Sequence, residues 1–178
     1  LLYLIYILQK VKWYEKAAIQ GYYVAQYELG NMYYFGRGVN QDYNEAIKWN
    51  EKAAIQGHSE AIDRIGDSYY FGVGVNQDYK EAFWWYEKAA NRGSTSARNT
   101  LIESYLFAKG VDQDYKEAFK WYEKAAIQGN SKAKLEIGEM YQFGQGLNKD
   151  YKEAFKLYKE ASTQGNEGKY KLRELDYY

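Results

Sequence analysis

The chain has 178 residues, and its 24 basic and 24 acidic side chains give a formal net charge of +0. A balanced charge projects no global field toward nucleic acid or an anionic membrane, and the absence of cysteine removes disulfides, thiolate metal sites and thiol nucleophiles together. Aromatic residues at 19% exclude a disordered chain, and with no proline the 16 glycines must supply the punctuation.

The chain opens on an apolar run, Leu1 to Leu8, which is too short to span a bilayer. Residues 1–21 read as an N-terminal half repeat, a diverged cap helix that carries Trp13 and closes at Gly21. The alternative for the first residues is the end of a signal or anchor segment. From Gly21 onward one pattern repeats. Gly21, Gly57, Gly93, Gly129 and Gly165 recur every 36 residues, as do the pairs Asp42-Tyr43, Asp78-Tyr79, Asp114-Tyr115 and Asp150-Tyr151. Trp13, Trp49, Trp85 and Trp121 keep the same step, with Leu157 in the fifth place. This fixes four full repeats at 22–57, 58–93, 94–129 and 130–165, followed by a C-terminal capping helix over 166–178 in a single array.

Each period reads as helix, turn, helix, turn. In the second repeat, helix A begins near Ser59, a capping residue, and presents Ala61, Ile65, Gly66 and Tyr69 as one buried stripe. The turn Gly72-Val73-Gly74 follows. Helix B opens with Asp78 and Glu81, an acidic form of the capping box. It buries Tyr79, Ala82, Phe83, Trp85, Ala89 and Ala90, and ends at Gly93. The opposite face carries pairs such as Glu117/Lys120 and Glu153/Lys156 and is solvated. A glycine inside helix A (Gly30, Gly66, Gly138) predicts close approach of a neighbouring helix, with an aromatic filling the space. The tryptophans of helix B are expected to bridge layers, so that truncating one to alanine costs roughly 3–5 kcal/mol. The third repeat departs from the pattern. Ile102 replaces the helix A glycine and Ala108 the first glycine of the turn, which predicts a local widening or altered twist between the second and third repeats.

Ala25, Leu29, Gly30, Tyr33, Gly36, Gly38, Val39, Asp42, Ala46, Trp49, Ala53, Ala54 and Gly57 together form a pattern that recurs over nearly the whole chain. It resembles the Sel-one-like repeat (SLR), a relative of the tetratricopeptide repeat. The resemblance implies an all-α fold, a right-handed α/α superhelix (solenoid) of helix-turn-helix units, and an adaptor role in protein complexes. Some bacterial relatives carry paired cysteines and are linked to β-lactam binding, an association this cysteine-free chain weakens.

Candidates for chemistry are few. His58 is the only histidine; its equivalents are Tyr22, Ser94 and Asn130, and it reads as an exposed loop residue. The glycine turns lie between helices and recur in every unit, so they are connectors and not phosphate loops. No catalytic, metal or cofactor residues are assigned. The functional lead is helix A, whose outward positions differ between repeats while helix B barely changes. Gln26, Ile62, Arg98 and Lys134 share one such position; Tyr34, Tyr70, Leu106 and Gln142 share another. A third stays polar or acidic: Asn31, Asp67, Glu103 and Glu139. With layers roughly 8–10 Å apart, this acid row suits an extended or helical partner segment bearing Lys or Arg. The expectation is a non-enzymatic scaffold that binds another protein or peptide, possessing a basic segment, through the concave helix A surface. Nucleic acid is not an expected partner, and no membrane contact is expected of this chain alone. The alternatives are an envelope-associated hydrolase or ligand-binding protein, or a structural spacer in a longer repeat protein.

Overall fold

A computed structural model describes residues 2–175, with side chains described from residue 5 onward. The regular structure of these described residues is entirely helical. The helices are α1 (Leu2–Ile19), α2 (Tyr23–Phe35), α3 (Tyr43–Ile55), α4 (Ser59–Phe71), α5 (Tyr79–Asn91), α6 (Thr95–Phe107), α7 (Tyr115–Ile127), α8 (Ser131–Phe143), α9 (Tyr151–Ser162) and α10 (Asn166–Leu175). The predicted helix A elements are α2, α4, α6 and α8; helix B of each repeat is α3, α5, α7 or α9. The chain divides into two compact units, residues 1–100 and 101–178, with the division inside α6. In the first, α1 to α5 pack each against the next; in the second, α7 to α10 do the same. No helix among the described residues is long and apolar enough to cross a membrane.

Local chemistry explains the helix ends. Each helix B starts at an aspartate whose carboxylate accepts backbone N–H bonds, as Asp42 does from Glu45 at 3.0 Å and Asp78 from Lys80 and Glu81 at 2.9 and 3.1 Å. The glutamate three residues on does not complete the predicted box. Asp42 N–H already donates to the Tyr33 carbonyl at 3.0 Å, and Asp78, Asp114 and Asp150 bond Tyr69, Tyr105 and Tyr141 in the same way. The glutamates are therefore free for other partners: Glu45 and Glu153 pair with Lys48 and Lys156 at 2.6 and 2.8 Å, Glu117 pairs with Lys120, and Glu81 accepts from Trp85 Nε1.

The start of helix A also differs from the prediction. Ser59 is the first helical residue and its hydroxyl bonds Glu60; the cap is His58, whose Nδ1 accepts from the Ala61 N–H at 3.3 Å. Ser94 and Asn130 cap α6 and α8 from the equivalent position, at 3.1 Å each. His58 is thus no exposed loop residue. Its side chain is 12% exposed, stacked 4.6 Å from the Tyr27 ring and 5.5 Å from Tyr23.

The helix A glycines mark close approaches, as predicted. A Cβ at Gly66 would lie 2.8 Å from the Tyr86 ring, and one at Gly138 would overlap the Tyr158 ring. At Gly30 the neighbour is the Asn50 amide instead of an aromatic. Turn glycines serve packing between repeats: Gly74, at φ +77°, would place a Cβ 2.7 Å from Tyr43 Cβ on the preceding helix B. The tryptophans split. Trp121 is buried, Trp49 and Trp85 are partly buried, and Trp13 is 78% exposed. The reason is that a helix B tryptophan packs on the helix A before it, as Trp49 does on the Leu29 cluster, and α1 is the first helix described. Tyr79, expected in the core, is also exposed, at 39%.

Ala108 has φ 53°, the only positive value at a non-glycine among the described residues, where Gly36, Gly72 and Gly144 stand in other repeats. A left-handed conformation costs an L-residue roughly 1–2 kcal/mol, and glycine loses more chain entropy on folding, roughly 0.5–1 kcal/mol. Ala108→Gly is therefore expected to stabilise the protein by about 0.5–1 kcal/mol, read as a rise in the midpoint of urea unfolding.

Candidate functional site

The outward face of helix A is the candidate site, and burial redraws it. Gln26, Ile62 and Arg98, expected to be exposed, are 5%, 0% and 4% exposed, and Lys134 is partly covered. They lie on the inter-helix side of the stripe. Gln26 donates to the Ala18 carbonyl at 3.1 Å and accepts from Gln56 at 2.8 Å, while Lys134 pairs with Glu160 on α9 at 2.7 Å. Gln142 is buried too, because its carbonyl accepts the Tyr158 hydroxyl at 2.7 Å. Tyr34, Tyr70 and Leu106 remain partly exposed.

Asn31 and Asp67 of the acid row belong to the first unit, Glu103 and Glu139 to the second. Of the four only Glu103 is exposed, and its carboxylate lies 3.7 Å from Lys109 Nζ. Glu139 is held by Lys171 of α10 at 2.8 Å. Asp67 accepts the Tyr86 hydroxyl at 3.0 Å and lies 3.4 Å from Arg64 Nη1. Asn31 carries a buried side-chain oxygen without a hydrogen-bond partner. The row is thus partly neutralised by the chain's own cations and hydroxyls, which lowers the charge it offers outward.

One turn before Asp67 lies a second carboxylate that the sequence reading missed. Asp63 accepts the Ser94 hydroxyl at 3.1 Å through one oxygen, while its other oxygen is buried without a partner. Burial first, and the neighbouring Asp67 charge second, hold the Asp63 carboxyl above the usual carboxylate range. Asp67 is raised as well, by burial, against the lowering effects of Tyr86 and Arg64. The spacing of Asp63 and Asp67, one helical turn apart, is the signal that could have found the pair. A carboxyl raised on folding stabilises fully below its unfolded value of about 3.9 and loses that contribution as pH rises through its folded value. Asp63→Asn is therefore expected to be more stable than the wild type at neutral pH, with the difference closing as pH falls through the raised Asp63 value toward about 4. Urea melts of both proteins across that range measure it.

The ends of the helix A elements carry a second repeated feature. Tyr34 and Phe35 meet edge to face at 4.8 Å, and Tyr70 and Phe71 at 5.0 Å. The equivalent Phe107 and Phe143 belong to the second unit, and all four phenylalanines are exposed. The Arg37 guanidinium lies 4.6 Å over the Phe35 ring, and Arg64 lies 5.3 Å from Tyr34. No group of three or more His, Asp or Glu side chains among the described residues is placed to hold a metal ion.

The Sel1 repeat family model matches residues 11–22, 24–58, 59–94, 103–130 and 131–166. The chain is 37% identical, at TM-score 0.78, to the crystal structure of a protective antigen with an SLR fold present in uropathogenic Escherichia coli strains. That match covers 93% of this chain and 36% of the other. A Sel1 repeat protein from Oxalobacter formigenes is 35% identical at TM-score 0.73, over 89% of this chain and 65% of that one. A Sel1 repeat protein from Klebsiella pneumoniae shares the fold at 18% identity and TM-score 0.51, over 93% and 99%. The chain thus spans about a third and just under two thirds of the first two proteins' lengths. No curated protein gives a significant sequence match.

Proposed function

The chain belongs to the Sel1 repeat family, and from that premise we propose that it is a non-enzymatic scaffold holding a partner protein or peptide against its helix A faces. Members of this family generally serve as protein-interaction scaffolds. The observation that best supports this reading is the exposed aromatic end of helix A, repeated as Phe35 and Phe71 in one unit and as Phe107 and Phe143 in the other. A ring presented once per repeat gives a partner apolar surface to desolvate at regular intervals. Beside it, Tyr34, Tyr70 and Leu106 add partly exposed surface, and the exposed Glu103 carboxylate, 3.7 Å from Lys109 Nζ, favours a basic residue in the partner.

The test is partner capture from the native lysate by the wild type, by the Phe35→Ser/Phe71→Ser double variant and by Glu103→Lys. These side chains are exposed, so stability is expected to change by less than about 0.5 kcal/mol for Glu103→Lys. A partner held by the wild type and lost by a variant with an unchanged unfolding midpoint supports the helix A site. A partner retained equally by all three rejects it.

A further inference from the structure

The first three repeats each carry a tryptophan on helix B with a lysine three residues on: Trp49/Lys52, Trp85/Lys88 and Trp121/Lys124. Each lysine ammonium stands over its indole, at 3.8, 5.1 and 3.7 Å from the ring centre. In the first repeat the indole covers helix A, packing against the cluster of Ala18, Ala25 and Leu29 beside Tyr33. The fourth repeat changes both members of the pair, to Leu157 and Glu160. The apolar floor that an indole covers is nevertheless retained, with Ile137 in the place of Leu29 and Tyr141 in the place of Tyr33. The core of this repeat gathers Leu135, Ala154, Tyr158, Ala161 and Leu175, and Leu157 is not among them.

An open groove lies beside Leu157. It encloses about 420 Å³ between α7, α8 and α9, with Phe119, Ile137, Tyr141 and Leu157 among its lining residues. That volume lies within the range of roughly 300–1,000 Å³ typical of ligand sites. Three glutamates and two lysines complete the lining. Both lysines are engaged, Lys134 by Glu160 at 2.7 Å and Lys156 by Glu153 at 2.8 Å, so Glu123 leaves the groove with an excess negative charge.

We propose that this groove binds a partner's peptide segment that presents a tryptophan ring with a basic residue close by, supplying from outside the aromatic–cation pair that the fourth repeat lacks. The ring lies against Phe119, Tyr141 and Leu157, over the position that the earlier repeats fill with their own indole. The cation answers the excess negative charge of Glu123, beside Glu160, which stands at the place where the earlier repeats carry a lysine. Nothing in this inference requires the helix A reading, because the aromatic ends and acid row of helix A do not line the groove.

The experiment is a ¹⁵N–¹H titration of the full chain with the capped peptide Ac-Trp-Ala-Ala-Lys-amide, alongside its Trp→Ala counterpart. The expected result is a saturable shift at Phe119, Ile137 and Leu157, at least tenfold weaker for the alanine peptide. Leu157→Trp fills the groove from within and is expected to weaken binding at least tenfold. Glu160→Lys, an exposed change, is expected to weaken it at least threefold and serves if Leu157→Trp fails to fold. No shift in the wild type, equal binding of both peptides, or binding undiminished by the folded variants overturns the proposal. Shifts centred on Phe35, Phe71 and Glu103 instead would also overturn it while supporting the helix A site.

Discussion

Replacing Tyr86 with alanine is expected to cost the first unit about 3–5 kcal/mol, the range for removing a buried aromatic. Tyr86 is 1% exposed, its ring is the surface on which Gly66 of α4 packs, and its hydroxyl donates to Asp67 at 3.0 Å. The substitution therefore opens a cavity at the contact between α4 and α5 and strands a largely buried carboxylate at the same time. Tyr86→Phe separates the two effects. It keeps the ring and removes only the donor, so the expected loss is about 1–3 kcal/mol, the cost of leaving a buried acceptor unsatisfied. The phenylalanine variant should also shift the Asp67 carboxyl further upward, since the hydroxyl is one of the two groups that hold it down. Urea unfolding of the three proteins, with the Asp67 carboxyl followed by NMR titration, measures both. Equal stability of all three would show that this helix contact contributes nothing.

Gly138→Val is expected to destabilise the second unit by about 3 kcal/mol, the upper end of the cost of overpacking. A Cβ at Gly138 already overlaps the Tyr158 ring, which is fully buried and donates its hydroxyl to Gln142. Valine has two further methyls and nowhere to place them unless α9 moves or the ring leaves its site. The expected signature is strong coupling. In the Tyr158→Ala background the same valine should cost far less, because the ring it collides with is gone, and the non-additivity should exceed about 1 kcal/mol. Additive costs would mean that α8 and α9 do not meet through this pair.

These two contacts show where the sequence was readable. The 36-residue recurrence of glycine, tryptophan and Asp-Tyr located every helix pair, because a stacked repeat must satisfy the same packing problem at the same place each time. Gly66 and Gly138 announced a close approach because a glycine inside a helix is costly unless something needs the space. Capping was half legible. The aspartates of helix B were found, but the role of the glutamates was misassigned, since the bond from Asp42 N–H to the Tyr33 carbonyl spans a turn whose shape the sequence does not display. At helix A, Ser59 drew attention from His58, Ser94 and Asn130, although two of those three are among the commonest capping residues.

The candidate site was legible as a set of positions but not as a surface. Variation between repeats marked Gln26, Ile62, Arg98 and Lys134 as outward-facing, yet the first three are buried, because a residue at the edge of a helical stripe faces either solvent or the next helix according to how the pair is rotated. The acid row was read as four free groups, whereas Tyr86 and Lys171 come from other helices to meet Asp67 and Glu139. By itself the sequence determined the family, the helical class, the period and the residues that must be small, since each of these follows from periodicity and local geometry along the chain. Tertiary structure alone decided which side chains are buried, which carboxylates are paired, and that a groove lies beside Leu157, because each depends on what a neighbouring helix brings to within a few ångströms.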